Sequence, residues 1–178
     1  GNYGVGNFFL PADQKSRASA IEAVDNVLAN AKLQVILRRE LPVNRDVIEP
    51  RGHDLQLPIF QWVFATRHSA LRAESDSNIY NALVAIEAIA YQDKHLEGLY
   101  PLSLSSRTQV LKGRLNSWEL VPYFEDLAAP DHCVHTLFFH TRFSTNTDPH
   151  PSMAQPFRLL AHNPELNTDK KNRLSEVA

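Results

Sequence analysis

The stretch FFHTRFSTNTDPHPSMAQPFRLLAHNPELNT, residues 138–168, carries the most informative pattern in the chain. An apolar run leads through one arginine into small polar residues, and a proline-rich turn separates it from a second apolar run. Arg142 follows the first run and Asn163 follows the second, so the pattern predicts both residues at the ends of two neighbouring strands. Pro164 comes directly after the asparagine.

The residue types of Arg142 and Asn163 each allow two interpretations. An unpaired guanidinium at the end of an apolar strand is costly to bury, and its planar fork suits a carboxylate. The partner of Arg142 is therefore either an acidic residue of the chain or a ligand carboxylate. Asn163 either donates its amide to an oxyanion or caps a turn. The residues alone leave both alternatives open.

The rest of the chain alternates predicted helices and strands. The order predicts one α+β domain, with helices packed on a largely antiparallel sheet. The first predicted helix covers residues 12–31, with Asp13 as N-cap and an apolar stripe of Ala20, Ile21, Val24, Val27 and Leu28. The second covers residues 69–93, with a stripe of Ile79, Leu83, Ile86 and Ala90. A short helical piece at 117–128 is capped by Ser117. The predicted strands are 3–11, 33–41, 55–67 with Pro58 marking an edge or an irregular start, a pair within 99–115 around a turn at 105–108, and 132–145 with its partner 151–163.

Composition excludes several classes of function. The formal net charge is −2 and the basic residues are scattered, which argues against a nucleic-acid partner. No apolar run reaches the roughly 18 residues of a membrane helix, so we expect no membrane partner. One cysteine forms no internal disulfide and no cysteine-bound metal cluster. With no signal peptide apparent, a reducing, cytoplasmic location is expected.

Cys133 lies between His132 and His135 in a predicted strand. Successive strand residues point to opposite faces, so His132 and Cys133 are not expected to bind one metal ion together. We therefore predict no metal site. An apolar strand without an activating base predicts that Cys133 is a buried, unreactive thiol.

Residues 139–168 closely resemble a segment of the glutamate synthase large chain that reads HQRFSTNT…P…AQPFR-LAHNGEINT. Two further stretches support the resemblance: YGVGNFFLP at residues 3–11, and LYPLSLSSRTQVLKGRL with the following LVPYFEDLA at 99–128. The resemblance covers about residues 3–173, with only an outline match over about 30–95.

The resemblance implies a class II glutamine amidotransferase domain, an N-terminal-nucleophile hydrolase. Such domains form a four-layer αββα sandwich with largely antiparallel sheets, and this chain would be one partial domain over residues 1–178, an incomplete sandwich. The domain releases ammonia from glutamine for glutamate synthesis at a second site. By resemblance, Arg142 binds the substrate carboxylate, Thr145 supports it in the same loop, and Asn163 belongs to the oxyanion hole.

The resemblance also implies partners and cofactors. Glutamine or glutamate would be the ligand, and the remaining domains of a glutamate synthase would be the protein partners. The parent family uses FMN and an iron–sulfur cluster outside this region, so no cofactor is expected in this chain.

Three departures from the family pattern suggest that the chain as given is inactive. The family's nucleophile is a cysteine that begins the mature chain, well upstream of the YGVG strand, whereas only Gly1 and Asn2 precede Tyr3 here and neither has a nucleophilic side chain. In the family, an acidic residue that holds the substrate amino group lies downstream of HNGE, and this sequence is expected to end, at Ala178, before that position. Pro164 replaces the family's glycine, and proline has no N–H to serve as the second oxyanion donor. Losing one such donor typically costs about 10²–10³ in rate.

Two further hypotheses compete with an enzyme fragment. A glutamate-synthase-like domain that no longer catalyses could act as an amino-acid-binding or structural module that retains Arg142. Alternatively, exposed sheet edges could pair two copies into a homodimer.

Overall fold

A computed structural model describes residues 3–53, 56–66 and 72–141. Within these ranges the predicted α+β class is confirmed, because four antiparallel strands form one sheet and helices pack against it. The strands are β1 Tyr3–Phe9, β2 Gln34–Glu40, β3 Ile59–Ala65 and β4 Tyr100–Ser105, and the α-helices are α1 Gln14–Asn30, α2 Pro50–His53, α3 Arg72–Gln92 and α4 Leu120–Tyr123. Single 3₁₀ turns cover Arg45–Val47, Lys94–Leu96 and Glu125–Ala128.

The strands lie in the order β2-β3-β1-β4, and each neighbouring pair is antiparallel. Helix α1 connects β1 to β2 across β3, and α3 connects β3 to β4 across β1. The chain therefore forms two interleaved split βαβ units, with β2 and β4 at the sheet edges. Among the described helices, none combines the length and apolar composition that a bilayer crossing requires.

One sheet face packs against α1 and α3, and we call it the helical face. Phe8 and Trp62 meet there edge to face, with ring centroids 5.1 Å apart at 87°. Both predicted helix stripes are confirmed on this face, with Ile21, Val27 and Ala90 only partly buried. The helices contribute Ala20, Val24 and Leu28 from α1 and Ile79, Ala82, Leu83 and Ile86 from α3.

The opposite sheet face, here called the second face, carries a smaller apolar cluster. Its strand residues are Phe9, Ile59 and Leu102, and Phe124 packs against them from the short helical region. An isolated bridge joins Val43 to Phe124, so the chain after β2 and the chain after α4 cover this face together. The second face is therefore closed by irregular chain rather than by long helices.

The ends of α1 follow standard capping rules. Asp13 is the N-cap as predicted, and its Oδ2 accepts from Ser16 N at 2.8 Å. After the helix, Lys32 adopts φ 61°, and Leu33 N donates to Leu28 O at 2.9 Å. This is the hydrogen bond of a Schellman motif, and Leu28 and Leu33 are both buried beside it.

Pro58 stands directly before β3, which confirms the irregular start and shows that the edge interpretation was wrong. β3 lies inside the sheet, between β2 and β1. Proline cannot donate to a strand ladder, so β3 begins only at Ile59, while the Pro58 carbonyl accepts from Leu10 N at 3.0 Å.

The predicted cap of the short helical piece was also wrong. Ser117 does not begin α4; its N-cap is Glu119, and no side chain caps the first turn. Instead, the Glu119 carboxylate turns back and accepts from Asn116 N at 2.7 Å. The Glu119 side chain reaches back three residues to the Asn116 N–H, so Glu119 rather than Ser117 holds the loop before α4.

The prediction of a strand over 132–145 is contradicted where the structure describes it, at residues 132–141. This part forms no strand, and Phe138 and Phe139 are 82% and 74% exposed. Cys133 is likewise exposed rather than buried. An apolar sequence becomes a strand only when a neighbour completes its backbone hydrogen bonds, and no described strand pairs with this segment.

Candidate functional site

A row of polar side chains crosses the second face of the sheet. Asn7 of β1 is opposite Gln61 of β3 on one side and Ser103 of β4 on the other. Gln61 is in turn opposite Arg39 of β2. The register alone therefore places these four side chains in one line from edge to edge, and we call them the polar row.

The polar row is joined by side-chain hydrogen bonds. Gln61 Nε2 donates to Asn7 Oδ1 at 3.2 Å, and Arg39 Nε donates to Gln61 Oε1 at 3.0 Å. Arg39 also forms an ion pair with Asp126, which follows α4. Asn7 and Gln61 are 0% and 6% exposed, so their amides depend on each other for partners.

The chain after β4 lies against this row. Asn7 Nδ2 donates to Val110 O at 3.0 Å, and Val110 N donates to Ser103 Oγ at 3.1 Å. Further along, Gln56 Nε2 donates to Arg114 O at 2.8 Å. Because side chains take up these backbone groups, the predicted second strand of the 99–115 hairpin does not form; β4 ends at Ser105.

Lys112 sits in this returning segment and is only 5% exposed. Its Nζ lies 5.7 Å from the centroid of the Tyr100 ring, within cation–π range. Burial lowers the pKa of Lys112 to about 8, because the charged ammonium loses water contacts. Burial, with a contribution from Glu87, raises the pKa of Tyr100.

The three predicted site residues, Arg142, Thr145 and Asn163, lie outside the described residues, as does Pro164. The described structure therefore tests neither their geometry nor their roles, which stay predictions. The polar row holds the returning segment at Val110, through Asn7 and Ser103. No group of three or more His, Cys, Asp and Glu side chains in the described ranges could hold a metal ion.

Neither the Asn7–Gln61 pair nor the contacts of Ser103 and Arg39 were predicted from the sequence. A signal was available, since Asn7 and Gln61 each occupy an apolar position in the period-two pattern of a buried strand. A polar residue at such a position in two strands indicates that they pair. The contacts of Ser103 and Arg39 gave no comparable local signal.

The comparisons with known proteins agree on one family. The model of the class-II glutamine amidotransferases matches residues 1–176. The chain is similar to ferredoxin-dependent glutamate synthase 2 of Synechocystis sp., at 38% identity over 165 residues, or 93% of this chain and 10% of that protein. It is also similar to the chloroplastic ferredoxin-dependent glutamate synthase of Oryza sativa, at 35% identity, covering 96% of this chain and 11% of that protein.

A glutamate synthase [NADH] of Schizosaccharomyces pombe is 31% identical, covering 97% of this chain and 8% of that protein. The chain thus spans about a tenth of the length of the curated relatives it matches. The observed α+β architecture with its antiparallel sheet is consistent with an N-terminal-nucleophile-hydrolase-like domain. The chain belongs to the class-II glutamine amidotransferases.

Proposed function

We propose that this chain is a glutamine-binding amidotransferase domain of a glutamate synthase, a domain type that releases ammonia from glutamine for glutamate synthesis. The observation that carries the proposal is the family match over residues 1–176, because it includes the stretch with Arg142 and Asn163. The relatives named above supply the parent protein, since each is a glutamate synthase.

Each predicted residue has a chemical task in this proposal. The Arg142 guanidinium grips the α-carboxylate of glutamine with two parallel hydrogen bonds, and Thr145 supports it from the same loop. The Asn163 amide donates to the oxyanion that develops when the side-chain amide of glutamine is attacked. Together they hold the two ends of the substrate.

Pro164 weakens this arrangement in our proposal. A proline at this position removes the backbone N–H that a glycine would supply as the second oxyanion donor. It also restricts the backbone of Asn163 directly before it. We therefore expect glutamine hydrolysis to be slower by about 10²–10³ than with a glycine at this position.

The same proline favours a second candidate function, an amino-acid-binding or structural module that does not catalyse. In that case Arg142 still binds a carboxylate, but nothing depends on the oxyanion hole. The enzyme and an amino-acid-binding module both bind glutamine, a purely structural module does not, and only the enzyme releases ammonia, so binding and catalysis are tested separately.

Binding is tested by calorimetric titration of the chain with glutamine and with glutamate. The informative variant is Arg142→Ala, and the control is Arg45→Ala, which removes an exposed arginine from a 3₁₀ turn. We expect binding to the unmodified chain and to the control, and none to Arg142→Ala. Absence of glutamine binding to the unmodified chain, or full binding to Arg142→Ala, would contradict the assigned role.

Catalysis is tested by ammonia release from glutamine in the full-length protein that carries this domain. Pro164→Gly restores the N–H and the flexibility, while Pro164→Ala restores the N–H alone. If the missing donor limits the reaction, both variants hydrolyse glutamine faster than the unmodified protein. If neither variant gains activity, the non-catalytic module is the better description.

Cofactors and partners of the whole protein complete the proposal. FMN and the iron–sulfur cluster of a glutamate synthase would be bound outside this chain, whose single cysteine is too few for a cysteine-held cluster. The remaining domains are the proposed partners, and the exposed Leu137, Phe138 and Phe139 offer them an apolar contact.

Homodimer formation and a cytoplasmic location also stay proposals. Edge strand β2 exposes Ile36 and Leu37, and a second copy could pair there. Sedimentation would test the dimer, which Leu37→Lys should then dissociate. For location, several of the relatives are named as chloroplastic, so imaging of the full-length protein is the direct test.

A further inference from the structure

A cavity of about 410 Å³ lies beside the N-terminal turns of α3. Its sheet side is formed where β1 begins at Tyr3, where β3 is followed by Thr66, and where β4 is followed by Ser106. These three strand termini lie at the same end of the sheet because β1 is antiparallel to both of its neighbours. None of the described residues that line the cavity belongs to the predicted glutamine site.

The helical wall of the cavity comes from one side of α3. Arg72, Ser75, Asp76 and Ile79 all line it, at relative positions i, i+3, i+4 and i+7. Residues at this spacing lie on the same helix face. The wall includes the first turn of a 21-residue helix, whose backbone N–H groups have no intrahelical acceptor and favour a negative group.

Ser75 is the residue that most clearly indicates a missing ligand. It is only 3% exposed, and its Oγ is the single buried side-chain oxygen or nitrogen that has no hydrogen-bond partner among the described residues. Buried hydroxyl groups almost always have partners, so such an exception needs an explanation. A ligand oxygen in the cavity would supply the partner.

The cavity also presents both signs of charge. Arg72 takes part in none of the ion pairs between described residues. Asp76, one helical turn further on, is fixed by Arg107 at 2.9 Å and by Ser106 Oγ at 3.3 Å. A ligand with one negative and one positive group interacts favourably with both Arg72 and Asp76, whereas a purely anionic ligand makes no favourable contact with the Asp76 carboxylate.

We propose that this cavity binds a free α-amino acid as a zwitterion. The ligand carboxylate lies between Arg72 and the Ser75 hydroxyl, near the start of α3. The ligand ammonium faces the Asp76 carboxylate, and the ligand side chain packs against Ile79. The proposal stands independently of the glutamine site, because it uses none of that site's residues.

The experiment is a titration of the chain with L-alanine, followed by calorimetry and by amide chemical shifts. Propionate and ethylamine are the matched probes, since each lacks one of the two charged groups of alanine. We expect saturable binding of alanine and weaker binding, on the order of tenfold or more, of either fragment. No saturable alanine binding, or propionate binding as tight as that of alanine, overturns the proposal.

Variants locate the binding. Arg72→Ala should weaken alanine binding on the order of tenfold. Ser75→Ala should weaken it several-fold while the melting temperature stays the same or rises, because the unpaired hydroxyl is gone. A loss of binding that merely followed unfolding would lower the melting temperature instead.

Arg142→Ala separates this site from the proposed glutamine site. We expect alanine to bind this variant as it binds the unmodified chain, even if glutamine binding is lost. If Arg142→Ala abolishes alanine binding while Arg72→Ala leaves it unchanged, the amino acid binds elsewhere and the inference is wrong.

Discussion

Gln61 and Asn7 face each other across β3 and β1 on the second face of the sheet, and Gln61 Nε2 donates to Asn7 Oδ1 at 3.2 Å. The same Asn7 side chain donates through Nδ2 to Val110 O at 3.0 Å. One buried amide therefore links a neighbouring strand to the segment that returns after β4. Shifting either strand by one residue would bury these amides without partners, so the pair also specifies the register.

We predict that Asn7→Ala destabilises the chain by about 2–4 kcal/mol. It leaves Gln61 Nε2 and Val110 O without their partner in a buried position and removes packed side-chain volume. Urea denaturation measures the change. Asn26→Ala, at an exposed position of α1, is the control and should stay within about 0.5 kcal/mol of the unmodified chain. An equally small effect of Asn7→Ala would contradict the structural role of the amide.

Local sequence patterns were sufficient for the two long helices, α1 and α3, and for the four strands of the sheet. The apolar stripes of α1 and α3 repeat at helical spacing, and Asp13 marks the start of α1 by its own side-chain chemistry. Pro58 likewise marks the start of β3, because it has no N–H to donate to the strand ladder. These signals are local, so a single sequence carries them.

Features that depend on distant partners could not be predicted in the same way. The predicted hairpin over 99–115 does not form because Asn7 and Gln56, which are distant in sequence, hydrogen-bond to backbone groups of the returning segment. Residues 132–141 have a strand-like composition, but only a neighbouring strand could turn it into structure. Cys133 was expected to be buried for the same local reason and is exposed.

The candidate sites show the same difference between local sequence signals and features that depend on distant residues. Arg142 and Asn163 were assigned roles through a family resemblance, since residue types alone left two interpretations for each. The α3 cavity is lined by residues from three strand ends and one helix, and only the helix positions Arg72, Ser75, Asp76 and Ile79 share a spacing that the sequence shows. Chain topology was needed to bring the rest together.

Trp62 provides a second prediction. Its indole Nε1 donates to Asp25 Oδ1 at 2.7 Å, the ring is fully buried, and Asp25 also pairs with Arg38. Asp25→Ala should destabilise the chain by about 1–3 kcal/mol, because the buried indole N–H loses its acceptor. The fluorescence of Trp62 during urea unfolding measures this directly in a Trp118→Phe background, since the chain has only two tryptophans.

The control for this prediction is Asp25→Asn. Its side-chain oxygen can still accept from the indole, so only the charge of the partly exposed pair with Arg38 is lost, a contribution of about 0–1 kcal/mol. Equal destabilisation by the alanine and asparagine variants would show that the indole hydrogen bond contributes nothing.

Lys112 gives a prediction about pH. Its pKa is about 8 in the folded chain and near the ordinary 10.5 when unfolded, so between these values the unfolded chain binds more protons. The folded state should therefore gain stability as the pH rises through this window. Lys112→Met has no amine that titrates. We therefore expect its unfolding free energy, relative to that of the unmodified chain, to be highest at pH 7 and to fall by roughly 1–3 kcal/mol toward high pH.

Denaturation of both proteins from pH 7 to about 9.5 tests this. At higher pH, Tyr100 and Tyr123 ionise in the unfolded chain, and their raised pKa values in the folded chain act in the opposite direction. Lys94→Met is the control, since Lys94 is exposed. A difference between Lys112→Met and the unmodified chain that does not change with pH would contradict the lowered pKa.

Lys32 gives the last prediction, a stabilising substitution. It follows the end of α1 with φ 61°, a conformation that strains any residue with a Cβ and that glycine adopts freely. Lys32→Gly should stabilise the chain by about 0.5–1 kcal/mol, since relief of strain exceeds the extra entropy of an unfolded glycine. Lys32→Ala removes the same charge but keeps the Cβ, so it should give no comparable gain in thermal or urea unfolding. If alanine stabilised the chain as much as glycine does, the effect would come from the lost charge and not from the backbone.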